Sequence, residues 1–134
     1  MIRLKNEKQM DGIRRSCRLL AAMYDEVLPK IEAGMTTEDI NVLCVAFMVD
    51  HGGTPAWLST GFPAGTCVSV NNEVIHAIPS KRKKIRSGDI VSLDVGINLD
   101  GYISDSAVTI PIGEVSDEAK HLMAVTKECL TAGI

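Results

Sequence analysis

The stretch Ile90-Val91-Ser92-Leu93-Asp94-Val95-Gly96-Ile97-Asn98 constrains the fold more than any other part of the chain. Val91, Leu93, Val95 and Ile97 alternate with Ser92, Asp94, Gly96 and Asn98, the period of a strand with one buried and one open face. Asn98-Leu99-Asp100-Gly101 is a turn signal, and a second β-rich arm returns from Tyr102 to Ile112. The pattern predicts an antiparallel hairpin, which needs a hydrophobic layer against its apolar face.

The hairpin carries two acids. With Leu99 and Asp100 as a two-residue tip, Asp94 and Asp105 stand directly opposite each other on one face, Cβ atoms ~5 Å apart. Two like charges so placed repel. A divalent cation between them removes the conflict, and carboxylates are hard oxygen ligands suited to Mn²⁺, Fe²⁺, Co²⁺ or Zn²⁺. Alternatively one acid takes a raised pKa, or both simply face solvent on an edge hairpin. Leu-Asp-Gly also suits a type I turn followed by a glycine bulge. That would shift the register by one residue and require a second bulge to bring both acids to one face.

The hydrophobic layer is supplied ahead of the hairpin. Met10, Ile13, Cys17, Leu20 and Ala21, then Tyr24, Val27, Leu28 and Ile31, recur at helical spacing, with Gly34 a plausible stop. Thr36-Thr37-Glu38-Asp39 reads as a hydroxyl cap followed by acids, opening a helix through Ile40, Leu43, Cys44, Phe47 and Met48 to Gly52-Gly53. Thr54 to Gly65 reads as a loop. Cys67-Val68-Ser69-Val70 and Val74-Ile75 read as strands, Asn71-Asn72 as a turn, and Ser116-Asp117-Glu118 as the start of a last helix. The expected class is α+β: two helices, an antiparallel sheet and a final helix, in a single domain over 1–134.

Composition removes several functions. Apolar residues make up 46% and charged residues 23%, as in an ordinary globular protein. The net charge of −3 argues against nucleic acid as a main partner. No apolar run approaches the ~18 residues of a membrane span, and Met1 to Asp11 has no apolar signal core. The expected location is cytoplasmic. Cys17, Cys44, Cys67 and Cys129 form no C-x-x-C pair and are expected to be reduced, with Cys17 and Cys44 acting as small hydrophobes in helices.

Other candidates are open to two readings. His76, in an apolar segment just before Pro79, is either a satisfied structural residue or a functional one. Lys81-Arg82-Lys83-Lys84 fits a solvated loop, or a surface with salt-dependent affinity for nucleic acid. Trp57, Phe62 and Cys67 fit either a pocket or a core.

Taken in order, Gly61-Phe62-Pro63, Cys67-Val68-Ser69-Val70-Asn71, Glu73-Val74-Ile75-His76-Ala77-Ile78-Pro79, Ser87-Gly88-Asp89-Ile90-Val91-Ser92-Leu93-Asp94-Val95 and Asp100-Gly101-Tyr102-x-x-Asp105-Ser106 resemble type I methionine aminopeptidases, metallopeptidases of the pita-bread fold. The resemblance spans essentially the whole chain. It implies removal of the initiator methionine from nascent polypeptides, with two divalent metal ions bridged by carboxylates and water attacking the first peptide carbonyl. It places Asp94 and Asp105 among the metal ligands and His76 beside the scissile bond. Phe62 and Cys67 fall in the methionine pocket, whereas Ala56 and Ser59 stand where Cys and Tyr are frequent.

The resemblance also implies a C-terminal half, with further His and Glu ligands, that does not follow here. His121 and Glu128 sit in no matching motif. The expectations are therefore an N-terminal half that is weak or inactive alone, acting on peptide or nascent-chain ends beginning with Met. The alternatives are a homodimer pairing through an exposed half-core and a non-catalytic peptide-binding module.

Overall fold

A computed structural model describes residues 3–134. Helix α1 (Glu7–Val27) opens on a capping box: Asn6 Oδ1 accepts from the Gln9 amide at 2.9 Å, and Gln9 Oε1 accepts from the Asn6 amide at 3.0 Å. Helix α2 (Thr37–Asp50) opens on a second, between Thr36 and Asp39, where the hydroxyl cap was expected. Strands β1 (Thr54–Pro55), β2 (Cys67–Val70), β3 (Ile90–Leu99) and β4 (Tyr102–Pro111) form one antiparallel sheet. β3 is its axis, with β4 along one side and β1 and β2 in tandem along the other. Helix α3 (Asp117–Gly133) follows, capped by Ser116.

The core lies between the sheet and the first two helices. Val91, Leu93, Val95 and Ile97 are completely buried and meet Leu20, Met23 and Val27 of α1 and Ile40, Cys44, Phe47 and Met48 of α2. The alternation of β3 thus predicts its buried face residue by residue.

Helix α1 buries only part of the stripe its apolar spacing predicts: Leu20 and Val27 are buried and Tyr24 packs against the core. Gly12, Ser16, Leu20, Met23 and Val27 face inward, while Met10, Cys17 and Ala21 are exposed. Two small residues also let the helix approach the hairpin closely. The Tyr102 ring fills the space where Gly12 lacks a side chain. The Ser16 hydroxyl lies 3.0 Å from the Ile97 carbonyl and 2.9 Å from Ser104 Oγ, which in turn donates to the Ser16 carbonyl at 3.1 Å. Those contacts satisfy buried hydroxyls that an apolar count ignores.

Two further expectations are corrected. Val74-Ile75 is not a strand: residues 73–79 run irregularly, with Val74 91% exposed. β-branched composition alone does not make a strand when no neighbour takes up its backbone groups. The final helix forms where expected, but buries no residue and leaves Leu122 and Leu130 exposed.

Candidate metal centre and its apolar wall

The β3–β4 ladder sets the geometry of the acids. Its tip is Asp100-Gly101, not Leu99-Asp100: Leu99 pairs with Tyr102, and both tip residues have positive φ (55° and 83°). Two left-handed residues give the hairpin turn whose twist matches that of the strands. Asp100 tolerates this conformation, and its carboxylate accepts from Arg15 Nη1 at 3.0 Å. The Asn98 side chain accepts from the Gly101 amide at 2.9 Å.

This tip moves the pairing by two residues. Asp105 stands opposite Gly96, and Asp94 opposite Ala107. The direct opposition of the acids is therefore corrected to a diagonal relation. Because the shift is even, both still project from the same face, the one opposite the helices. The ladder runs unbroken from Ile90–Pro111 to Leu99–Tyr102, so no bulge is needed.

The acids feel each other. Partial burial holds the Asp94 carboxyl above its usual range, and the Asp105 carboxylate raises it further, while His76 acts in the opposite direction. Cys67 faces Asp94 across the β2–β3 pairing. Burial pushes its thiol up to about 11, helped by the charges of Asp94 and Asp105. Structure thus brings Asp94, Asp105, Cys67 and His76 into one electrostatic neighbourhood.

His76 arrives there on the irregular segment 73–79, which runs alongside β2. The Val68 amide donates to the Ala77 carbonyl at 3.1 Å, and the Ala77 amide donates to Ser69 Oγ at 3.3 Å. Upstream, Glu73 accepts from the Val70 amide at 2.8 Å and pairs with Lys83. Lys83, within the basic run, is therefore an anchor for this segment rather than a free cation. Between these ties His76 is exposed and holds a φ of 59°, uncommon for a residue with a side chain.

The other wall comes from the loop before β2. Asn41 on α2 accepts from the Gly65 and Thr66 amides at 3.2 and 3.1 Å and seats that loop. A turn of 3-10 helix at Ala56–Thr60 lies over Gly96. A side chain at Gly96 would meet Trp57 Cζ2 at 3.0 Å and Ala56 Cβ at 3.1 Å. Phe62 is half-buried beyond that turn. Ala56 and Trp57 thus pack over Gly96, and Cys67 of β2 pairs with Asp94, on the same strand as Gly96. The role of Gly96 as a seat for Trp57 has no signal in strand periodicity. The tyrosine of α1 is likewise missed: Tyr24 donates to the Ser106 carbonyl at 2.6 Å, beside Asp105.

Two hard oxygen donors on one face suit one side of a divalent-cation centre. Among the described residues no group of three or more His, Cys, Asp or Glu side chains gathers around one point. The fit is thus good in donor type and extends to two carboxylates.

These features define a class. The profile of metallopeptidase family M24 matches residues 11–134, and the chain belongs to that family. Within it the chain is similar to the methionine aminopeptidase of Treponema pallidum, 52% identical over 134 residues, all of this chain and 52% of that relative. The methionine aminopeptidase of Clostridium perfringens is 39% identical, again over the whole chain and 54% of the relative. The solved methionine aminopeptidase of Rickettsia prowazekii superposes with a TM-score of 0.95 at 34% identity, covering 100% of this chain and 54% of that one. The X-Pro aminopeptidase of Thermotoga maritima superposes at 0.79, with 26% identity, over 93% of this chain and 34% of its own. The fold is that of the pita-bread metallopeptidases, and the chain spans about half the length of the methionine aminopeptidases it matches.

Proposed function

We propose that this chain contributes the Asp94–Asp105 side of a divalent-metal centre that removes methionine from peptide and nascent-chain amino termini in the cytoplasm. The carrying observation is the shared face of Asp94 and Asp105, two repelling carboxylates with Cys67 and His76 in their field. Asp94 and Asp105 hold the cations on this side, drawn from Mn²⁺, Fe²⁺, Co²⁺ or Zn²⁺, and further ligands come from outside the chain. When bound, such cations polarise a carbonyl and make water acidic enough to attack at neutral pH. His76, exposed and held in position by the ties on either side of it, contacts the substrate near the scissile bond. Cys67 and Phe62 line the pocket for the methionine side chain.

Coordination by two carboxylates is too sparse for a tight centre, because each missing ligand and its supporting shell costs affinity. Alone, the chain is accordingly weak or inactive. The test is methionine release from Met-Ala-Ser with added Mn²⁺ or Co²⁺ and an EDTA control. One sample is the 134-residue chain; the other is the same chain fused to the C-terminal half of the Treponema pallidum relative. Release by the fusion, lost in Asp94→Asn and Asp105→Asn, is expected. Release by the chain alone at the rate of a full-length enzyme would overturn the half-centre. Release by the fusion that survives both substitutions would overturn the roles of the two acids.

A second reading concerns assembly. The exposed apolar residues of α3, Leu122 and Leu130, favour pairing of two copies through that helix. Sedimentation at micromolar concentration decides between a dimer and a clean monomer.

A further inference from the structure

Trp57 is the single tryptophan of the chain. Its Nε1 is the one buried side-chain nitrogen or oxygen among the described residues without a hydrogen-bond partner. An indole N–H can only donate, so its own geometry offers no substitute for a missing acceptor. Buried polar groups are nearly always paired, and an orphan calls for an explanation.

Position supplies one. A Cβ added to Gly96 would meet Trp57 Cζ2 at 3.0 Å and Cε2 at 3.2 Å, and Cε2 is bonded to Nε1. The N–H edge of the ring thus lies along the Gly96 backbone. Gly96 is the cross-strand partner of Asp105 and lies two residues from Asp94 on the same strand face. Were bulk all that this place required, phenylalanine or leucine would fill it without burying a donor. We propose that Trp57 is a specificity-determining residue of the centre. It is the wall for the ligand's first side chain, and its N–H gains an acceptor, the thioether sulfur, when that side chain enters or moves the ring.

This rests on the aminopeptidase reading, and the test separates the two. A single tryptophan gives a single indole cross-peak in the ¹H–¹⁵N spectrum of the full chain. With Zn²⁺ present, L-methioninamide should move that peak downfield. L-Norleucinamide, of the same shape but without sulfur, should move it less. Trp57→Phe should remove the preference for methioninamide in a calorimetric titration. If the amides of Cys67, Asp94 and Gly96 respond while the indole stays still, the wall is elsewhere and the aminopeptidase reading stands. Equal indole shifts with both ligands would overturn the recognition of sulfur. If no peak responds to either ligand at saturating Zn²⁺, the recognition by Trp57 is overturned, while the aminopeptidase reading is decided by methionine release from the fusion.

Discussion

The Tyr24 hydroxyl donates to the Ser106 carbonyl at 2.6 Å and lies 3.4 Å from the Leu93 carbonyl. One side chain of α1 thereby touches the neighbour of Asp94 and the neighbour of Asp105. Burial and the charges of both acids raise its pKa, so it stays a neutral donor across the working range of pH. Tyr24→Phe keeps the ring and removes the tie. It should lower stability by about 1 kcal/mol, the usual worth of one such bond, as read from the urea midpoint. Amide exchange at Asp105 and Ser106 should accelerate more than exchange in α2. A uniform change across the chain would contradict a local tie.

Gly12 admits the Tyr102 ring where any Cβ would collide with it. Gly12→Ala should therefore destabilise by about 1–3 kcal/mol through overpacking, despite alanine's better helix propensity. Thermal or urea unfolding checks the sign. A stabilised Gly12→Ala would mean that propensity wins and that the contact is loose.

Asp94 gives a pH dependence of definite sign. Its pKa is raised in the fold from the usual 3.8. Below that value both states are protonated and the group has no effect on stability. As pH rises from 3.8 through the raised value, the unfolded chain loses its proton first, and the folded state is progressively disfavoured. In EDTA, Asp94→Asn should gain stability relative to the parent across that window, with the gain then levelling off. A constant offset at every pH would show that the carboxyl is not strained in the fold. Adding Mn²⁺ should stabilise the parent and not the variant.

The four thiols are all free but divide into two classes. Cys17 and Cys129 are exposed. Cys44 is buried with its thiol pushed up to about 12, and Cys67 is buried with its thiol at about 11. Thiolate is the reactive form, so iodoacetamide near neutral pH should modify Cys17 and Cys129 and spare the other two. Mass spectrometry of the peptides reads this directly. Rapid labelling of Cys67 would contradict the burial of its thiol.

What could be read from the sequence follows from which signals are periodic. Strand β3 alternates, so its buried face is legible position by position, as is the placing of Asp94 and Asp105 on one face. Their register was not, because Asp100 adopts a left-handed conformation and moves the tip by one residue, which the alternation cannot detect. In α1 the apolar spacing finds Leu20 and Val27 but not Gly12 and Ser16, which contribute by being small or by pairing rather than by being hydrophobic. Segment 73–79 looks like a strand and is held instead by single ties to Ser69, Val68 and Lys83, none of which has a sequence period. Trp57 fits pocket and core equally until Gly96 is seen beneath it.

The most direct measurement is a calorimetric titration of Mn²⁺ into the 134-residue chain, its Asp94→Asn and its Asp105→Asn variants, each first shown to be folded by circular dichroism. The account predicts a single weak site in the parent, lost in either variant, because two carboxylates on one face act together. Binding that survives both substitutions, or a folded parent that takes up no Mn²⁺, would contradict it.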